Sequence, residues 1–247
     1  MQDYAFYFLN PKQQKMYHLL RKALFQHEQT IPALGFDAAE MNTVLKAVLT
    51  DTPELFWFEG NWKYETDGDT QCIHPLYTID FAGTQRIRSQ LEEISSDFMK
   101  SDNSISELDQ VRYAYDWILS NVDYGLFDGT GQTIYDTFIK RKAVCKGLSK
   151  GFQYLLKQMH CFSTLQEGTL DGAGKHIWNI VEINGKYYNV DISMGYDYFS
   201  DLFDDSRKFD KYRCFAVPDD QLSEFHRIYH LPWPSLPCSH SLEGRLK

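Results

Sequence analysis

The chain has 247 residues, of which 43% are hydrophobic and 15% aromatic, so it can bury one substantial core, or one core and a smaller companion domain. Its formal net charge is -9 and its lysines and arginines are scattered, so we expect no nucleic-acid partner. No apolar run approaches the roughly 20 residues of a membrane-spanning helix, and the residues after Met1 do not match a signal sequence. A cytoplasmic location is favoured, although a mature secreted fragment would look the same.

The predicted elements of the N-terminal half, in chain order, are a helix from Asn10-Pro11, a helix from the capping pair Asp37 and Glu40, strands at 55–66 and 74–81, and a helix at 84–100. The polar residues 101–104 end the last of these helices and are the candidate boundary between domains. We therefore expect an α+β region at 1–103 and a second domain at 104–247.

The second domain begins with a predicted helix whose capping box pairs Ser104 with Glu107. A glycine-rich loop at 124–131 and a short helical segment lead into a helix that carries Cys145 in or just before its first turn. After residue 195 the chain is rich in aspartate and then proline, which predicts a loop-rich extension with one short helix.

The position of Cys145 is the first indication of function. The free N–H groups and the positive dipole end at a helix N-terminus stabilise a thiolate, which is the nucleophilic form of cysteine. Gly147 and Gly151 follow on the same helix, and glycines there suit the close approach of another segment. The alternative is a small buried cysteine on an ordinary core helix.

A hairpin downstream of Cys145 carries candidate partners for the thiol. Residues 176–183 and 186–192 read as strands joined by Asn184-Gly185, the strongest short hairpin signal. A two-residue turn pairs Ile183 with Lys186, which places His176, Trp178 and Asp191 on the same face of the hairpin. Asp191 is then the diagonal neighbour of His176, about 7–8 Å away at the backbone and within side-chain reach. A thiol, an imidazole and a carboxylate in this arrangement are the parts of a nucleophile, a base and an orienting acid.

These motifs together resemble the transglutaminase-like superfamily, which shares the papain-like cysteine fold. The resemblance covers roughly residues 105–230 and rests on AVCKGLSKGFQYLL at 143–156, HIWNIVEINGKYYNVD at 176–191 and GQTIYDTFIKRKAVC at 131–145. It implies an α+β protein with a papain-like transglutaminase core, in which a nucleophile helix packs on an antiparallel sheet. It also implies Cys145 as nucleophile, His176 as base and Asp191 as the residue that orients the imidazole. The region before this core resembles the N-terminal part of bacterial proteins that carry such a domain.

The expected reaction is acyl transfer from a peptide or glutamine-type amide through a thioester. Gln132 is a candidate second oxyanion donor, although a turn-capping amide is an equal alternative, and Trp178 is a candidate wall of the substrate groove. The Thr-Trp that the family often has after the acid is replaced here by DISMG at 191–195. Hydrolysis is therefore favoured over crosslinking, and a binding or scaffold module without turnover is the alternative from another class.

No cofactor or metal is expected. Cys145, His160, Cys161 and His176 suggest zinc, but they lack the ligand pairs roughly two to four residues apart that structural zinc sites use. Asp197, Asp201, Asp204 and Asp205 lack the alternating ligands and glycine of a calcium loop. Five cysteines in a chain of this length also argue against a disulfide framework.

Overall fold

A computed structural model describes residues 3–67, 70–103, 106–126, 130–198 and 209–242. The chain divides into two compact units, residues 1–90 and 91–247. The division falls inside helix α3 (Phe81–Lys100) rather than in the polar residues 101–104. The reason lies in the last turns of that helix, where the ring of Phe98 stacks on Tyr113 at 4.8 Å and the Tyr113 hydroxyl donates to the Phe98 carbonyl.

The first unit contains a 3-10 turn at Ala5–Phe8, helices α1 (Pro11–Phe25) and α2 (Ala38–Asp51), and strands β1 (Ile31–Pro32), β2 (Trp62–Asp67) and β3 (Thr70–Pro75) in the order β1-β3-β2. Both predicted helix starts are confirmed, because the side chains of Asn10 and Asp37 each close a capping box. The strand predictions were only partly right. Residues 55–58, which were predicted to begin a strand, form turns instead. All four are apolar and buried, so the sequence shows no alternation of polar and apolar residues from which a strand could be told apart.

The second unit contains, besides the end of α3, helices α4 (Glu107–Asn121), α5 (Cys145–Gln158) and α6 (Asp219–Leu222), strands β4 (Asp123–Tyr124), β5 (Lys142–Ala143), β6 (Ser163–Leu170), β7 (Gly174–Ile183), β8 (Lys186–Val190) and β9 (His226–Ile228), a π-helical turn at Asp136–Lys140 and a 3-10 turn at Ile192–Gly195. Ser104 lies outside the described residues, and the observed cap of α4 is Ser106. Within those residues, no helix combines the length and hydrophobicity that crossing a membrane requires.

Helix α5 packs against an antiparallel sheet whose strand order is β8-β7-β6-β9. The Asn179 amide of β7 donates to the Ser149 carbonyl of α5 at 3.0 Å and to the Ser163 hydroxyl of β6 at 3.1 Å, so it ties the helix to two strands. Asn179 is therefore a structural polar residue of the core. The predicted α+β class, with the cysteine helix on an antiparallel sheet, is confirmed.

The hairpin between β7 and β8 has the predicted register. Asn184 and Gly185 have φ values of 52° and 73°, which are the positive values of a two-residue type I′ turn, and Ile183 pairs with Lys186. The ladder ends where Asn179 pairs with Val190, two residues before the predicted end of the strand. Asp191 caps the 3-10 turn that follows, with its carboxylate accepting from the Ser193 N–H.

Candidate active site

Cys145 is the first residue of α5, as the sequence pattern predicted. The N-cap residue is Val144, whose side chain has no atom that could accept a hydrogen bond from the first turn. The usual capping oxygen is therefore missing at this helix start, and the N–H groups of the first turn stay available for a negative charge. Valine is a poor cap, and a locally unfavourable residue beside a partly exposed cysteine is typical of a functional site.

The glycines of α5 allow two segments to approach the helix closely. A β-carbon on Gly147 would lie less than 3.0 Å from the Gly131 carbonyl oxygen, and one on Gly151 would lie 2.6 Å from Cγ2 of Thr137. The Gly131 carbonyl also accepts from the Val144 N–H at 3.0 Å. The loop that carries Gln132 is therefore fastened to the start of α5, which explains why glycine occupies position 147.

His176 and Asp191 form a buried pair beside Cys145. His176 Nε2 lies 2.7 Å from Asp191 Oδ2, and neither side chain is more than 3% exposed. Cys145 interacts with the same imidazole and contributes to raising its pKa, and the two side chains line one cleft. Since Nε2 faces the carboxylate, Nδ1 is the nitrogen left for the thiol. His176 therefore interacts with both Cys145 and Asp191, the two residues predicted to be its partners.

The electrostatics of this pair are those of an imidazolium and a carboxylate. Burial alone would lower the pKa of His176, but the charge and hydrogen bond of Asp191 and the neighbouring Cys145 outweigh burial and raise that pKa to about 10. Burial alone would raise the pKa of Asp191, whereas the charges and hydrogen bonds of His176 and His226 hold it well below its usual range. A protonated imidazole beside a thiol stabilises the thiolate.

His226 is the residue of this cluster that sequence reasoning missed. Its Nε2 lies 2.8 Å from the same Asp191 oxygen that His176 contacts, and its side chain is completely buried. It belongs to β9, a strand of three residues inside the stretch that was expected to be mostly loops. No local signal marks this histidine, because its partners β6 and Asp191 lie far away in sequence.

A cleft of about 450 Å³ opens onto Cys145 and His176, and its other lining residues are Gln132, Val144, Lys146, Glu167, Gly168, Lys175, Ile177 and Tyr229. Gln132 thus lies at the cleft beside the thiol, and its side chain makes no hydrogen bond to another residue in the described part of the chain. A turn-capping role for its amide is therefore not observed.

Trp178 does not line this cleft, which differs from its predicted role as a groove wall. It is fully buried, its ring is stacked 6.4 Å from the His176 ring, and its N–H donates to the Asn189 side chain at 2.9 Å. Its hydrophobic neighbours include Met194, Val217 and Leu222. Trp178 lies on the predicted face of the hairpin, but residues after 191 cover that face. Trp178 therefore packs against the imidazole of His176 inside the protein.

His176, Asp191 and His226 have their ligand-type atoms within 4.8 Å of one another, close enough to consider a metal ion. Both imidazole nitrogens are, however, at hydrogen-bonding distance from one shared carboxylate oxygen, which accounts for the cluster as a hydrogen-bond network. Of the aspartates weighed for calcium, Asp201, Asp204 and Asp205 lie outside the described residues.

The other cysteines differ from Cys145 in burial. Cys161, Cys214 and Cys238 are buried, and only Cys72 and Cys145 are partly exposed. Burial chiefly raises the pKa of Cys161 to about 11, and it raises the pKa of Cys238 as well. His160 follows α5 in the left-handed conformation, with a φ of 59°, so the His160-Cys161 pair is a helix end beside a buried thiol.

No family model and no curated protein matches the chain. Among solved structures, a TGase is 13% identical with a TM-score of 0.39, over 66% of this chain and 50% of the other. A candidate cysteine protease from Cytophaga hutchinsonii is 13% identical with a TM-score of 0.36, over 54% and 61% of the two chains. A candidate protease from Parabacteroides distasonis is 11% identical with a TM-score of 0.33, over 54% and 39%. The chain spans only part of each of these proteins, and function is inferred below from the cleft alone.

Proposed function

We propose that the chain is a thiol-dependent acyl-transfer enzyme that acts on peptide or glutamine-type amides through Cys145, His176 and Asp191. The observation that carries the proposal is the buried Asp191–His176 pair, which interacts with a thiol at a helix start without a capping side chain, at the edge of an open cleft. Each group has the chemistry that its role needs: a nucleophile, an imidazole that moves a proton, and a carboxylate that orients the imidazole.

Acylation follows from the positions of these groups. Sγ of Cys145 attacks the carbonyl carbon, and the negative charge on the oxygen is accepted by the Cys145 N–H at the start of α5 and by the side-chain amide of Gln132. The C–N bond breaks as Nδ1–H of His176 protonates the departing amine. The raised pKa of His176 supports this step, because the imidazole holds the proton at neutral pH. A thioester on Cys145 and a neutral imidazole result.

Hydrolysis is the favoured second half of the reaction. Water loses a proton to neutral His176 as its oxygen attacks the thioester, and cleavage of the C–S bond releases the acid and restores the Cys145 thiolate beside a protonated His176. Crosslinking requires that water be kept out while a lysine amine arrives, and that demands apolar, aromatic walls. Lys146, Glu167 and Lys175 line this cleft, whereas Trp178 is fully buried and does not line it. Charged side chains line this cleft beside Val144, Ile177 and Tyr229, and on this ground we favour a peptidase or amidase over a transglutaminase.

The test is incubation of the full chain with a library of glutamine-containing peptides and an excess of a primary amine, followed by mass spectrometry. We expect free acids as the main products and their complete loss in Cys145→Ala. Cys72→Ala is the matched control, since Cys72 is the other partly exposed cysteine and belongs to the first unit. Predominant amine incorporation would support the crosslinking alternative instead. Absence of both acid and adduct would overturn the enzymatic proposal in favour of a binding or scaffold module.

A further inference from the structure

His226 gives the Asp191 carboxylate a second imidazole. Oδ2 of Asp191 lies 2.7 Å from Nε2 of His176 and 2.8 Å from Nε2 of His226, while Oδ1 accepts from the Ser193 N–H at 3.0 Å. In the mechanism above, the carboxylate orients only one imidazole, that of His176. The acyl-transfer mechanism above therefore leaves the second, fully buried imidazole without a role.

The direction of the hydrogen bond follows from the charge on Asp191. An ionised carboxylate only accepts hydrogen bonds, and the contacts around Asp191 favour the ionised form. His226 must therefore carry a proton on Nε2 and donate it to Oδ2. Tyr115 and Tyr124 interact with Asp191 electrostatically, but burial chiefly raises the pKa of both, so they add no charge to the network.

The surroundings of His226 hold its ring in one orientation. Its Nδ1 lies 3.2 Å from the Leu222 carbonyl oxygen, so both ring nitrogens contact an acceptor. The ring packs edge-to-face on Trp178 at 5.1 Å, and Trp178 in turn is stacked on His176. Gly168 of β6 allows this packing, because a β-carbon there would lie within 3.0 Å of both Trp178 and the Arg227 carbonyl. Such a fixed donor can keep a carboxylate from rotating.

We propose that His226 is a positioning residue for the reactive thiol. Its Nε2–H fixes the Asp191 carboxylate in the orientation in which the same oxygen accepts from His176, and His176 thereby presents Nδ1 to Cys145. One side chain of the last described strand, His226 of β9, then acts on the catalytic residues. This inference rests on the proposed function, and it adds a fourth residue to the thiol, imidazole and carboxylate.

The test measures the rate of Cys145 alkylation by iodoacetamide as a function of pH, which needs no knowledge of the substrate. His226→Leu removes the donor and keeps the volume, whereas His226→Gln places an amide N–H near the position of Nε2. Arg227→Ala is the matched control, because Arg227 lies on the same strand and its side chain contacts Asp171 and the backbone carbonyls of Ser223 and His226 rather than Asp191. Thermal unfolding of each variant reports its folded state.

We expect His226→Leu to slow alkylation at about neutral pH by about tenfold to a hundredfold, the effect of one lost buried hydrogen bond to a charged group. As pH increases, the alkylation rate of this variant should rise mainly near about pH 8.5, the pKa of an ordinary thiol. His226→Gln should remain within about threefold of the wild type if one donor is restored. Arg227→Ala should match the wild type.

Three outcomes would overturn the inference: wild-type reactivity in His226→Leu, equal losses in the Leu and Gln variants, or an equal loss in Arg227→Ala. A measurement on the wild-type protein decides the matter even if a variant does not fold. Nitrogen-15 NMR of labelled histidines should show a proton on Nε2 of His226 in a hydrogen bond, and an unprotonated Nε2 would refute the inference. If Cys145 of the wild type is alkylated no faster than Cys72, the proposed function is contradicted. The NMR measurement then decides separately whether Nε2 of His226 donates to Asp191.

Discussion

Replacing Gly147 by alanine is expected to destabilise the protein, although alanine is the better helix former. Gly147 lies within α5, where alanine would gain about 1 kcal/mol from helix propensity. The new methyl group would, however, lie less than 3.0 Å from the Gly131 carbonyl oxygen and 2.9 Å from the Ala143 β-carbon. Neither neighbour is the flexible end of a side chain, so the backbone of one segment has to move.

The size of the effect follows from these opposing contributions. Overpacking of a close contact costs about 1–3 kcal/mol, and a contact with backbone belongs in the upper part of that range. After the gain in propensity is subtracted, we expect a net loss of about 1–2 kcal/mol in the free energy of unfolding. For a chain of this size the melting temperature should fall by roughly 2–8 °C.

Thermal unfolding followed by circular dichroism measures this change, and a second glycine on the same helix supplies the control. Gly151→Ala should also be destabilising, because its methyl group would lie 2.6 Å from Cγ2 of Thr137. Thr137→Ser removes that methyl group and keeps the hydroxyl that donates to the Gly147 carbonyl at 2.8 Å, so the double variant should recover. A Gly147→Ala protein as stable as the wild type would refute the reasoning.

Three further predictions concern the site itself. Iodoacetamide should label Cys145 well before Cys161, because burial raises the pKa of Cys161 to about 11 and leaves it as the less reactive thiol. Gln132→Ala should lower kcat by about a hundredfold with little change in KM, as the loss of an oxyanion donor does. The pKa of His176 is raised to about 10, so protonation of this imidazole stabilises the folded state, fully below about pH 6.5. The free energy of unfolding should therefore fall as pH rises from about 6.5 toward 10, by at most about 1.4 kcal/mol per pH unit. Asp191→Asn should flatten this pH dependence.

Each of these has a contradicting result. If Cys161, or Cys72 in the first unit, is labelled faster than Cys145, Cys145 is not the activated thiol. A Gln132→Ala variant that changes only KM would assign the amide to substrate binding. An identical fall in stability between pH 6.5 and 10 in the wild type and in Asp191→Asn would show that the His176–Asp191 pair is not its source.

The parts of the site that were predicted from sequence rest on local signals. The helix with Cys145 follows from apolar periodicity, and the hairpin register follows from Asn184-Gly185, whose positive φ values suit a two-residue turn. Strand β6 escaped prediction because it is buried on both faces and therefore shows no alternation of polar and apolar residues.

The remaining differences arise from contacts between distant parts of the chain. His226 reaches Asp191 across 35 residues, from a strand too short to leave a periodic pattern. Trp178 was assigned to the correct face of the hairpin by strand parity. Parity does not reveal that later residues, among them Val217 and Leu222, cover that face and bury the indole.

The strand order β8-β7-β6-β9 also has a consequence during synthesis. Of the four strands of this sheet, β9 leaves the ribosome last, yet it pairs with β6, which leaves it first. Until β9 emerges, β6 keeps an unpaired edge, and an exposed edge of this kind is a template for pairing with other chains. Chains that stall or are cleaved before residue 226 would combine an open sheet edge with an unprotected Asp191. We therefore expect nascent chains to be prone in that interval to pairing through residues 168–170 of β6, the part of the edge that β9 later covers.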